Sequence, residues 1–385
     1  MKTLRYGVIG TGMMGQEHLR NLALVSQTQT WNTDVVALID PDQGMREAAV
    51  KLAQSLGNEN VLGFERIDDV DLDTVDAFLI VSPNFTHHAI ITQLLPSGKA
   101  ILAEKPVCTS LPQCTDLLER LKGYPAAFWV AMEYRYMPPT ARFLQRLHSG
   151  ELGTLRMLTI KEHRYPFLEK IGDWNRFSEN TGGTLVEKCC HHFDLMRLIT
   201  GSEAVRVFAS GAMDVNHLNE RYAGRTPDIL DNALVIVDFE NGVRASLELC
   251  MFADGAEPQE QLTAIGDNGK LDAFIPGPDR FWPDSGNRHS RVVYSPRDQS
   301  APQVETIEVD PDLAAAGDHH GSTFYQHVQF GEAVLNGSPV QVSAEDGVKA
   351  VRIGAAAQES IRTGQAIDMK TFNLNASVND ARNLA

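Results

Sequence analysis

Positive charge is scarce in this chain: 34 lysines and arginines stand against 50 aspartates and glutamates, a formal net charge of −16. Such a surface repels nucleic acid and anionic membranes at long range, so neither is an expected partner, although local arginines can still hold a small anion. Cysteine is sparse as well. Five thiols, an odd number without an even-spaced framework, fit a reducing compartment. No C-x-x-C pair occurs, and Cys189-Cys190-His191-His192 is the one run that invites a metal reading. Successive side chains on a helix diverge by about 100°, so four neighbours cannot close around one ion, and no metal is expected. No apolar run approaches membrane-spanning length, and the N-terminus enters a strand pattern without a signal peptide, so the expected location is cytoplasmic. There is no internal repeat or low-complexity tract.

What is present begins at once. Residues 2–9 are a short apolar strand pattern running into Gly10-Thr11-Gly12-Met13-Met14-Gly15. In G-x-G-x-x-G the first glycine, Gly10, allows the tight turn. Gly12 lets backbone approach a pyrophosphate, and Gly15 lets the next helix pack closely on the strand. That helix, from Met14, points its N-terminal amides at the phosphates. A glycine turn alone is also just a tight connection, but a second buried strand (35–39) ends at Asp40, where a carboxylate meets the adenosine ribose hydroxyls. A carboxylate there repels a 2′-phosphate, so NAD is favoured over NADP, with Arg46 the only nearby cation to soften it.

With 385 residues, 43% hydrophobic and 22% charged, two domains are expected. Helical character over 44–56, a short strand at 61–64 and a buried strand at 75–81 follow Asp40. Ser82-Pro83-Asn84 ends that strand and His87-His88 opens a helix. A strand at 100–103 ends in Glu104-Lys105-Pro106, before a helix at 111–122 and a strand at 126–132. This alternation predicts an α/β fold with a doubly wound parallel sheet and ligands at the carboxyl ends of its strands. Residues 1–133 are assigned to this nucleotide-binding domain.

After the prolines at 138–139 the pattern changes to longer strands, at 156–163, 205–213, 231–241, 243–251 and 262–265, with an Asn241-Gly242 hairpin signal. A mostly antiparallel sheet in an α+β substrate domain, 134–372, is expected. Residues 279–303 read as a long polar loop, 323–335 and 344–363 as helices, and 373–385 as a loose polar tail.

Two places look chemical. Lys105, at a strand end, is either a solvated terminus or a group that hydrogen-bonds a substrate hydroxyl beside a nicotinamide. Residues 182–198 read as one helix opened by Gly182-Gly183, with Glu187, His191 and Asp194 at i, i+4 and i+7. Two carboxylates flanking an imidazole can orient it and make it a proton acceptor; the alternative is an ion-pair stripe with Lys188 and Arg197. The helix's apolar character favours a packed position, where polar groups without a role are expensive.

Taken together, residues 10–15, Ser82-Pro83-Asn84-Phe85-Thr86-His87, Glu104-Lys105-Pro106, Tyr134-Arg135-Tyr136-Met137-Pro138 and the 182–194 segment occur in the order seen in the Gfo/Idh/MocA oxidoreductases. The resemblance covers nearly the whole chain. It implies an N-terminal Rossmann domain plus a domain with an open-faced antiparallel sheet, assembly as a homodimer or homotetramer through that sheet, and NAD(P)-dependent chemistry on sugars or cyclitols. By position, Lys105 matches the family's catalytic lysine and His191 its acid/base histidine, while Ser82, Asn84, His87 and Glu104 match contacts to the nicotinamide half. Glu187 stands where many members carry aspartate, and one added methylene moves a carboxylate by roughly 1.5 Å, enough to affect alignment. Lys188 and the two cysteines replace small or apolar residues.

Arg164, Lys170, Trp174, Arg176, Arg221 and Arg225 fall in the substrate half. Arginine forks suit anionic oxygens and Trp174 can stack on a sugar face, so an anionic or heavily hydroxylated carbohydrate is expected. His320 lies in a turn resembling a family segment that reaches the substrate. The leading expectation is dehydrogenation of a sugar or cyclitol hydroxyl, with Lys105 or His191 taking the proton. The rival is an oxidoreductive glycosidase, acting even on anionic sulfosugars, that recycles NAD and uses Glu187 and Lys188 as an extra base. A non-catalytic NAD sensor would leave Lys105 and His191 unexplained.

Overall fold

Through the first 130 residues, short apolar runs alternate with amphipathic ones, and each becomes the element its period dictates. The structure, a computed structural model, describes residues 2–281 and 288–372. In order come β1 (Thr3–Ile9), α1 (Met13–Thr28), β2 (Asn32–Ile39), α2 (Gln43–Ser55) and β3 (Leu62–Phe64). Next are β4 (Ala77–Ile80), α3 (His87–Leu94), β5 (Ala100–Glu104), α4 (Leu111–Arg120) and β6 (Phe128–Ala131). The strands pair in parallel in the order β3-β2-β1-β4-β5-β6, a doubly wound Rossmann sheet. β4 and β5 are buried along their whole length, as strands covered on both faces must be. Helix α2 is started by Asp42, whose side chain accepts from the Met45 amide at 2.8 Å.

The second part opens with α5 (Pro138–His148), its prolines sitting in the first turn. Then come β7 (Leu155–His163), α6 (Ser178–Thr181), α7 (Thr184–Glu187), α8 (Cys190–Thr200), β8 (Ala204–Ala212), β9 (Asn232–Phe239) and β10 (Arg244–Cys250). β11 (Glu260–Gly266), β12 (Gly269–Ile275), β13 (Ser290–Pro296), β14 (Gln303–Ile307) and, near the end, β15 (Ile367–Asp368) complete a nine-stranded sheet. Its order is β14-β13-β12-β11-β7-β10-β9-β8-β15, antiparallel except for β7 beside β10. The Asn241-Gly242 hairpin joins β9 to β10, with Gly242 at φ 84°. Buried residues alternate along β9, Val235 and Val237 inward against Leu234 and Ile236 outward, so the outer face of this strand is open.

Two expectations need correction. The polar stretch 279–303 is not all loop: Ser290–Pro296 is a strand, and Gln303 begins the next. Its alternation of buried Ser290, Val292 and Tyr294 was masked by the charge that strands near a sheet edge tolerate. Residues 282–287 and the expected tail at 373–385 lie outside the described residues. Second, the chain separates into two compact units that do not follow a single cut after 133. One unit runs to Cys108 and adds Gln113–Tyr136 and Asp310–Val348; the other holds Thr109–Pro112, Met137–Val309 and the chain from Lys349.

The returning segment carries α9 (Pro311–Ala316), α10 (Ser322–Asn336) and the start of α11 (Ala344–Thr363). It belongs to the first unit because α10 packs on α1. Trp31 Nε1 donates to Glu332 at 3.0 Å, and Phe330 is wholly buried against Tyr6 and Trp129.

Candidate active site

The site in the first unit is built where strands end. In sheet order β2, β1, β4, β5 and β6, the residues leaving the carboxyl ends are Asp40, Gly10, Ser82, Lys105 and, two residues beyond Ala131, Glu133. The three glycines of the turn stand in different surroundings. Gly10 has φ 94°, and a Cβ there would lie 2.6 Å from the Ser82 amide nitrogen; a Cβ on Gly15 would run into the Gly10 carbonyl oxygen. At Gly12, by contrast, a Cβ would meet nothing within 4 Å, so this is the open floor of the turn. No side chain caps α1, which leaves its first amides facing that floor. Met13 is exposed and Met14 half-buried at the same helix start.

Asp40 shapes the turn. Its Oδ2 accepts from the Thr11 amide at 2.8 Å and the Thr11 hydroxyl at 2.9 Å, and Oδ1 from the Asp42 amide at 3.0 Å. Arg46 donates to the Asp40 carbonyl at 2.5 Å, which commits that cation to backbone. At the end of β4, Ser82 and Thr86 hydroxyls lie 2.7 Å apart. The Asn84 amide nitrogen is buried and without a partner among the described residues, a donor positioned for a ligand. Open floor, uncapped helix and orphan donor together fit a dinucleotide.

His87, expected against a nicotinamide, is fully buried with Nδ1 2.9 Å from the Pro106 carbonyl and Nε2 2.9 Å from the Ser82 carbonyl. It ties the β4 and β5 ends together, and burial pushes its pKa down despite both carbonyls. Lys105 is half-buried, and its backbone amide donates to Glu104 Oε2 at 3.1 Å. His319 lies 3.0 Å from Glu17 Oε1, and the next residue, His320, adopts φ 54°.

In the second unit the 182–198 segment is not one helix. Gly182 and Gly183 take φ 81° and 85°, conformations that suit glycine, and a Cβ at Gly182 would sit 2.8 Å from the Thr109 carbonyl oxygen. The Thr184 carbonyl then accepts both Lys188 N at 2.9 Å and Cys189 N at 3.4 Å, and the ladder slips, ending α7 before α8 begins. The expected single face bearing Glu187, His191 and Asp194 is therefore split, with His191 and Asp194 on α8 and Glu187 on α7. All three are buried.

The slip turns Lys188 toward a residue that sequence reading missed. Glu162, on β7, is wholly buried, with Lys188 Nζ 2.9 Å and Arg164 Nη1 3.3 Å from its Oε1 and His192 Nε2 3.1 Å from its Oε2. Burial pushes the Glu162 carboxyl up, but Lys188, His192 and Arg164 outweigh it and hold it well below the usual carboxylate range. The signal was there: Glu162 continues the inward-facing set Leu158 and Ile160. Arg176, 3% exposed, pairs with Glu220 at 3.1 Å, and Arg225 with Glu179 at 2.6 Å. Trp174 is half-buried, its carbonyl accepting from the Asn180 amide at 3.0 Å.

A Rossmann sheet with a dinucleotide cradle and, two strands from its glycine turn, a lysine at a strand end is the arrangement of an α/β nucleotide-dependent oxidoreductase. Residues 4–132 match the model of the oxidoreductase family's NAD-binding Rossmann fold and 145–369 that of its C-terminal alpha/beta domain; the chain belongs to the Gfo/Idh/MocA oxidoreductase family and carries an NAD-binding domain. It is 25% identical over 372 residues to a scyllo-inositol 2-dehydrogenase (NAD(+)) of Bacillus subtilis, covering 95% of this chain and 96% of that protein. It is 24% identical over 373 residues to a myo-inositol 2-dehydrogenase of Thermotoga maritima, covering 95% and 99%. The fold is similar to a levoglucosan dehydrogenase solved with NADH and levoglucosan, with TM-score 0.78, 20% identity and coverage of 96% of this chain and 100% of that one. Among the described residues no helix is long and apolar enough to cross a membrane, and no group of three His, Cys, Asp or Glu gathers to hold a metal.

Proposed function

We propose that the protein is an NAD-dependent dehydrogenase of a secondary hydroxyl on an uncharged cyclitol or sugar. The observation that carries this is Lys105 at the end of β5, two strands from the Gly10–Gly12 turn in the same sheet. Bound NAD supplies the hydride acceptor. Lys105 donates to the reacting hydroxyl, lowering its pKa, and His191 accepts its proton. Cofactor contacts are assigned to Gly10, Gly12, Met13, Met14, Gly15, Asp40, Ser82, Asn84 and Glu104, with Glu187 orienting the histidine. The relatives named for inositols support a cyclitol or sugar.

The cations once expected to select an anion argue the other way. Lys188 and Arg164 are spent on Glu162, and Arg176 on Glu220, so a neutral polyol held by Trp174 and hydrogen bonds is favoured. The oxidoreductive glycosidase drew on Lys188 as an extra base, and that ammonium is already engaged. The open face of the second sheet supports a homodimer or homotetramer: exposed Phe208 and Ile236 are directly paired across strands, beside Leu234. The net charge of −16 favours no nucleic-acid or membrane partner.

The test follows reduced nicotinamide and released aglycone together, with NAD and a panel of inositols, free sugars and aryl glycosides, neutral and anionic. Stoichiometric NADH from a neutral polyol is expected. Aglycone release that requires NAD but accumulates no NADH would replace this reading with the glycosidase. Lys105→Ala and His191→Ala are expected to lower kcat by at least about 100-fold while NAD still binds by calorimetry. Full activity in either variant would remove that residue's role.

A further inference from the structure

Helix α1 reaches back from the glycine turn with two consecutive buried side chains, Glu17 and His18. Glu17 Oε1 accepts from His319 at 3.0 Å and from the Thr323 hydroxyl at 2.9 Å. His18 turns instead to the end of β5, its Nε2 3.1 Å from Glu104 Oε1. Its other nitrogen, Nδ1, lies 2.8 Å from Nε2 of His327 on α10, the two rings meeting edge to face at 85°. Glu104 Oε2 accepts the backbone amide of Lys105. Three titratable groups, exposed by 6%, 0% and 0%, thus form a chain that ends on the lysine.

A lone buried imidazole is ordinarily a satisfied core residue. Two in contact, one of them on a carboxylate, are different, because a single hydrogen occupies the bond between them. With His18 neutral, its Nε2–H donates to Glu104 and its Nδ1 accepts from His327 Nε2–H. With His18 protonated, both of its nitrogens donate, and His327 must move its own hydrogen to Nδ1. The first arrangement leaves Glu104's negative charge to act on Lys105 undiminished; the second cancels it within the chain.

We propose that His18 is a positioning residue for Lys105: the Glu104–His18–His327 chain stores the proton that decides how much negative charge the lysine feels, and so the pH range in which the lysine works. This rests on the role given to Lys105 above. The surroundings support it. Burial, then the charge of His18, pushes His327 well down, so the charged form is disfavoured on that ring. Burial pushes Glu104 up, but His18 and Lys105 hold it below the usual carboxylate range. The other charged groups facing this cluster are Glu17 with its partner His319, Glu133 from the end of β6, and His87 from α3. Glu17 is compensated by His319, and His87 is kept neutral by burial. Burial and Glu104 push Glu133 up to about 7.

The experiment titrates Lys105 directly by NMR in full-length protein carrying ¹³C-lysine, without NAD, the signal being assigned by its loss in Lys105→Arg. His18→Gln removes the ring on Glu104 that can take up a compensating proton and is expected to raise the Lys105 midpoint by about one pH unit. His327→Phe, which keeps an aromatic ring beside Tyr6, is expected to shift it the same way by less, and covers the case in which His18→Gln does not fold. In a Glu104→Gln background both shifts should vanish. A Lys105 midpoint unchanged in the folded variants, or a shift that survives Glu104→Gln, would overturn the proposal. Because this readout needs no substrate, a moved midpoint in a protein that oxidises no polyol would count against the functional reading alone.

Discussion

Glu17 and Glu133, two buried carboxyls of the same unit, are driven in opposite directions. Burial pushes Glu17 up, but His319, His18 and Thr323 outweigh it and leave its pKa at about 2, whereas burial and the charge of Glu104 raise Glu133 to about 7. The linkage follows from which state binds more protons. Between the ordinary value of 4.5 and about 7 the folded protein holds a proton on Glu133 that the unfolded chain releases, so this group lowers stability as pH rises through that window. Glu17 contributes stability that is complete above 4.5 and lost as pH falls toward about 2. Glu133→Gln is therefore expected to raise Tm relative to the parent at pH 8 and to bring no gain at pH 4.5; thermal melts giving equal shifts at both would refute the assignment. At this scale legibility depended on range. Gly10, Gly12, Gly15 and Lys105 announce themselves because neighbouring residues set their conformation. His18 and His327 do not, since each acquires meaning from a partner 309 positions away.

Elements were legible where a period ran uninterrupted. Helix α11 falls on Ala344–Thr363 as its pattern predicts, and β5 and β10 differ from expectation only at their ends. The failures have tertiary causes. The 182–198 helix breaks where the Thr184 carbonyl takes two amides, and Lys188 at the break pairs with a buried carboxylate from another element. α10, which a linear reading assigns to the substrate domain, belongs to the nucleotide unit because its Gly331 admits the Trp31 ring; a Cβ there would overlap Trp31 carbons. Gly331→Ala improves intrinsic helix propensity by about 1 kcal/mol yet is expected to destabilise by about 1–3 kcal/mol through overpacking. Chemical denaturation decides the sign, and a stabilised variant would show that Trp31 moves aside cheaply.

For the whole molecule, the open sheet face is the feature with the largest consequence. Leu234 is 60% exposed and Ile236 52%, on strands whose alternate residues are buried. A regular apolar row in a chain this acidic is expected to be covered by a second copy, since like net charge opposes association unless apolar burial offsets it. Leu234→Glu with Ile236→Glu should lower the mass found by light scattering to that of one chain while leaving the far-ultraviolet circular dichroism unchanged. A parent protein that is monomeric at micromolar concentration would dispose of the interface altogether.

The amino-acid sequence by itself determined the doubly wound sheet, the dinucleotide turn and the strand-end lysine, because each depends on hydrophobic period, glycine stereochemistry and residues close along the chain. Only the tertiary structure decided which charges are free to meet a substrate. Glu162 gathers Arg164 from just past β7, Lys188 from the helix break and His192 from α8, and Glu104 gathers His18 and, through it, His327 from two helices. Buried charge must find a partner wherever the fold brings one, and that choice is made in space, not along the chain.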